Sequence, residues 1–78
     1  MENNPAKQIF VEIELGHGNP SLAQILSETA LYEREYENDK LLVHQILNIS
    51  STSEKHSKFL VIFNLYRDSN HLGEKISY

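Results

Sequence analysis

The sequence predicts a small α+β domain of order β-α-β-β. It has a three-stranded antiparallel sheet, strand order 1-3-2, with one helix packed on one face. Three observations carry this. Residues 9–15 alternate apolar and polar side chains with the period of two of a half-buried strand. Asn19-Pro20-Ser21 opens a stretch whose apolar residues recur at helical spacing. Two further extended runs, 41–50 and 58–67, flank a Ser-rich segment of turn composition.

Taken in order, residues 1–7 read as a polar, flexible lead-in. In the first strand Ile9, Val11, Ile13 and Leu15 make one face, and Gln8, Phe10, Glu12 and Glu14 the other. Gly16-His17-Gly18 breaks it. Asn19 is the expected N-cap, with Pro20 at the first helical position, where its missing N–H costs nothing. Leu22, Ile25, Leu26, Thr29, Tyr32 and Tyr36 gather on one stripe, so the helix is expected over 20–32 with a weaker continuation toward Asp39.

The second run places Leu41, Val43, Leu47 and Ile49 on one face, interrupted by Gln45. Residues 50–57 contain no glycine and predict a long hairpin loop rather than a two-residue turn. In the third run Phe59, Val61, Phe63 and Leu65 share a face, while Leu60, Ile62 and Tyr66 make the other apolar as well. A strand apolar on both faces belongs in the middle of a sheet. Residues 68–78 read as a second flexible tail, in which Leu72, Ile76 and Tyr78 could dock, so the ordered core is about 8–67 of a single domain.

This arrangement leaves one sheet face without a layer. The uncovered set is Phe10, Leu42, Ile46, Leu60, Ile62 and Tyr66, with His44 among them. Six large apolar side chains amount to several hundred Å² of patch, roughly the size that monomers rarely expose. Either the C-terminal tail folds over it or another chain does. A 78-residue chain without cysteines gains from the second arrangement, because a domain so short buries only about 60% of its unfolded surface.

Composition excludes several classes. With 40% hydrophobic and 23% charged residues the chain is too apolar for obligate disorder, and no run approaches the ~18 apolar residues of a membrane span. The N-terminal residues lack a signal-peptide pattern, so a cytoplasmic location is expected, and the Asn48-Ile49-Ser50 sequon is read as a chance match. The absence of cysteine removes disulfides, thiolate metal sites and a cysteine nucleophile. His17, His44, His56 and His71 are 27, 12 and 15 residues apart, with no helical i, i+4 pair to hold a metal. No metal or cofactor is expected.

Catalysis is not expected either. No serine stands in a Gly-x-Ser-x-Gly elbow. Glu12 and Glu14 lie about 7 Å apart on one strand face, but so short a chain offers no enclosed cleft around them. The glycine turn at 16–18 ahead of a helix resembles an anion site only in outline, lacking the lysine and the glycine spacing of phosphate loops.

Charge is unevenly spread. Residues 1–39 hold eight acids and two bases (2 − 8 = −6), residues 40–78 three acids and five bases (5 − 3 = +2), for −4 overall. Glu28, Glu33, Glu35, Glu37 and Asp39 form an acidic stretch, read as a solvated helix end partly balanced by Arg34 and Lys40, or as a surface for a basic protein partner. A net acidic chain is not expected to bind nucleic acid directly.

In element order, in length, and in Ile13-Glu14-Leu15-Gly16 followed by Asn19-Pro20-Ser21, the chain resembles dodecins, small flavin-binding shells. Dodecins stack flavin on a tryptophan, and this chain has none, so the resemblance implies an oligomeric architecture rather than the ligand. The function expected is a non-catalytic interaction module that self-associates through its open sheet face. The alternatives are a small-ligand binder with a pocket between subunits, and an acidic inhibitor or adaptor of phage or mobile-element type.

Overall fold

A computed structural model of the chain describes residues 4–16, 18, 20–52, 55–68 and 73–76. Its elements are β1 (Lys7–Leu15), α1 (Leu22–Tyr32), β2 (Lys40–Asn48) and β3 (Ser57–Tyr66). The three strands form one antiparallel sheet in the order β1-β3-β2, as the alternation predicts. His17, Asn19, His71, Leu72 and Tyr78 lie outside the described residues.

The helix begins two residues later than the sequence suggests. Ser21 is the N-cap, and its Oγ accepts the Gln24 N–H at 3.2 Å, which leaves Pro20 before the cap rather than inside the helix. The helix ends at Tyr32 and does not continue to Asp39. There the Arg34 side chain donates to the carbonyls of Leu31 at 3.2 Å and Glu37 at 2.8 Å. The Asp39 carboxylate accepts the Glu35 and Tyr36 N–H groups at 3.1 and 3.0 Å. These side-chain bonds give the backbone a turn in place of further helix.

The core lies between α1 and one face of the sheet. Val61, Phe63 and Leu65 of the middle strand are completely buried, and Ile13 and Leu41 nearly so. Leu22, Ile25, Leu26 and Ala30 of α1 pack against them. An eleven-residue helix is only about 16 Å long, whereas strands of nine or ten residues run to about 30 Å. The β2–β3 hairpin therefore extends past the helix, in a body of 48 × 25 × 16 Å. Its loop spans residues 49–56, where Ser50 Oγ accepts the Lys58 N–H at 2.8 Å.

Part of the expected C-terminal tail is paired. The Glu37 N–H donates to the Glu74 carbonyl at 3.0 Å and the Ile76 N–H to the Glu35 carbonyl at 2.8 Å. Residues 73–76 thus extend the turn between α1 and β2 and do not lie over the open sheet face. At the other end Lys7 is already in β1, and the Ala6 N–H reaches the Leu65 carbonyl at 2.7 Å.

Candidate interaction surface

The outer face of the sheet is built by strict alternation from the buried one. Val61 and Phe63 point into the core, so Leu60, Ile62, Asn64 and Tyr66 point away from it. Directly paired residues of neighbouring strands share a face. The outer face therefore holds three cross-strand rows: Gln8–Asn64–Leu42, Phe10–Ile62–Gln45 and Glu12–Leu60–Leu47. Phe10 is 60% exposed and Leu42 58%, with Leu47 and Ile49 also exposed. Among the described residues no element covers them.

One placement differs from the sequence reading. The pairing passes from Val43↔Phe63 directly to Gln45↔Ile62, so His44 is an extra residue in a β-bulge. Beyond the bulge the alternation of β2 is inverted. Ile46 pairs with Val61 and belongs to the helix side, whereas Leu47 pairs with Leu60 and faces outward. The expected face of Phe10, Leu42, Ile46, Leu60, Ile62 and Tyr66 is thus corrected by exchanging Ile46 for Leu47. His44, expected among the outward residues, is exposed and has no paired counterpart in β3.

The charged side chains of this outer face stand at its margin. Glu12 and Glu14 are on β1, Lys58 at the hairpin end of β3 and Lys40 at the start of β2. Glu14 meets His56 at 2.8 Å across the sheet end. The middle row carries no charge. An apolar centre within a polar rim is the anatomy of a protein interface.

The acidic stretch is divided between two roles. Asp39 is buried and receives both Nε and Nη2 of Arg67, at 2.9 Å each. Arg67 Nη2 also donates to Glu35 at 2.8 Å, and Lys7 bonds the same Glu35 oxygen at 3.1 Å. The Arg67 guanidinium stacks 4.8 Å from the centre of the Tyr36 ring. The Arg67 hydrogen bonds hold both carboxyls below their ordinary range, and the two carboxylates raise Arg67 further. Asp39 is therefore taken up in a buried ion pair, while Glu35, its side chain 45% exposed, is bridged by Arg67 and Lys7 at the surface. The expected balance by Arg34 and Lys40 falls instead to Arg67 and Lys7. Only Glu28, Glu33 and Glu37 remain exposed.

A groove of about 860 Å³ runs beside the outer edge of β2, between Ala30, Leu31 and Arg34 of the helix end and Lys40, Leu42 and Tyr66 of the sheet. Arg34 and Arg67, which line it, are committed to the bonds above. Among the described residues no cluster of three or more His, Asp or Glu is arranged to hold a metal ion. Nor is any described helix long and apolar enough to cross a membrane.

The outward face was legible from the alternation of β1 and β3, but the Asp39–Arg67 network was not. Its partners are 28 residues apart, and nothing in the acidic run distinguishes Asp39 from its neighbours. Compared with known proteins, the chain matches no family model, no curated protein and no solved structure.

Proposed function

We propose that this chain is a non-catalytic interaction module that self-associates through the open face of its sheet. The observation that carries the reading is the uncharged row Phe10–Ile62–Gln45, set in an apolar face over which no described element lies. The face is roughly 15 by 30 Å from strand spacing and rise. Two copies placed face to face would remove on the order of 1,000 Å² of accessible surface, about the least that a specific interface needs. Edge-to-edge pairing through β2 is opposed by the bulge at His44, a feature that twists a sheet edge away from a partner.

Native mass spectrometry of the purified chain tests the reading. A dimer or higher even assembly that dissociates on dilution supports it, and a monomer at every concentration overturns it. A small molecule retained in the same assembly would instead support a ligand pocket between subunits.

A further inference from the structure

Resting on self-association through the open face, we infer that two copies stack antiparallel about a two-fold axis passing through Ile62. Ile62 is on the middle strand and in the middle row, with Phe10 and Gln45 on either side. A two-fold axis at that point that keeps the two sheets aligned runs close to across the strands or close to along them, and the two choices bring different residues together.

With the axis across the strands, β1 lies over β1 of the partner and β2 over β2. Leu42 then meets the partner's Leu47, and Gln8 meets the partner's Glu12. In these rows leucine meets leucine and amide meets carboxylate. The Gln8 amide gives one hydrogen to Asn64 Oδ1 at 3.0 Å and keeps a second for the Glu12 carboxylate.

With the axis along the strands, β1 lies over the partner's β2. The Glu12 carboxylate would then press on Leu47, and the Gln8 amide on Leu42. Covering a carboxylate with leucine removes its water and supplies no hydrogen bond, which is costly. The antiparallel stack avoids that arrangement, so the polar distribution on β1 selects it.

Single cysteines in this otherwise cysteine-free chain read the register directly. Ile62→Cys, Leu42→Cys, Leu47→Cys and Gln8→Cys are each confirmed as folded by circular dichroism and as associated by native mass spectrometry. They are then treated with a bifunctional maleimide reaching about 10 Å, the spacing of stacked sheets. Ile62→Cys should link to itself. A mixture of Leu42→Cys and Leu47→Cys should link, while either alone, or Leu42→Cys mixed with Gln8→Cys, should not.

Linking of the Leu42→Cys and Gln8→Cys pair in place of the Leu42→Cys and Leu47→Cys pair would overturn the antiparallel stack while leaving the face-to-face reading intact. If Ile62→Cys is associated but does not link, the open face is not the contact. A monomeric wild-type chain would remove both.

Discussion

Arg67 grips both carboxylate oxygens of Asp39, Nε to Oδ1 and Nη2 to Oδ2, each at 2.9 Å. This fork ties the end of β3 to the turn that feeds β2. Asp39 has further bonds from the Glu35 and Tyr36 N–H groups, so all of its acceptor directions point inward. Arg67→Met keeps the aliphatic stem but leaves a buried carboxylate without its cation. Loss of one partner of such a pair costs about 3 kcal/mol. Thermal unfolding should show a drop in Tm of more than about 10 °C, given about 4–8 °C per kcal/mol in a domain this size.

The same pair sets an acid limit. Asp39 and Glu35 are depressed in the folded state, chiefly by hydrogen bonds from Arg67. A depressed carboxyl contributes stability that is fully present above its unfolded pKa and is lost as pH falls through the folded one. Urea unfolding should therefore show stability declining from about pH 4 downward, the ordinary carboxyl range. Arg67→Met should flatten that decline, and a decline of unchanged steepness in the variant would assign it to other carboxyls.

The bulge predicts opposite outcomes for two adjacent residues. Leu47→Lys places a charge on the outward face and should abolish association, read by light scattering. Ile46→Lys sits on the helix side at a position 39% exposed, and should leave association unchanged. The reverse result would mean that β2 pairs without the extra residue.

Deleting His44 should keep the pairing on both sides of it, since Val43 and Gln45 already oppose the adjacent residues Phe63 and Ile62. The protein should fold with its circular dichroism spectrum unchanged, but with a flatter β2 edge it should aggregate at lower concentration. Loss of cooperative unfolding would show that the bulge is needed for the fold itself.

These two cases mark where the sequence was readable. In β1 the residues Ile9, Val11, Ile13 and Leu15 alternate with mostly polar partners, so period and facing follow at once. In β2 the run Leu41-Leu42-Val43 and the run Ile46-Leu47 are apolar at successive positions. Either register fits such a pattern, and an inserted residue leaves no mark on it. The polar pair His44-Gln45 between them is the one local sign of the break. That Ile76 could dock was legible, but its place was not, because residues 73–76 are held by backbone bonds to Glu35 and Glu37 and by the Glu37 carboxylate accepting the Glu74 N–H.

Gly73 makes that docking testable. Its φ is +73°, and a Cβ there would lie 3.0 Å from the Glu37 Cβ. Gly73→Ala should therefore cost about 1 kcal/mol locally. Hydrogen exchange at the Glu37 and Ile76 amides should accelerate about fivefold, while the amides of β3 keep their protection. Equal acceleration throughout would make residues 73–76 part of the global folding unit.

The adjacent residues Val61 and Ile62 test association through the open face most directly, by sedimentation equilibrium paired with circular dichroism. Val61 is fully buried against α1, so Val61→Lys should unfold the domain. Ile62 stands at the centre of the uncovered face, half-buried by its strand neighbours, so a charge placed there would lose its water under any copy stacked on that face. Ile62→Lys should therefore give a folded monomer with the wild-type spectrum, while wild type sediments as an assembly. A wild type that is already monomeric, or an Ile62→Lys variant that still associates at the wild-type concentration, would contradict the account.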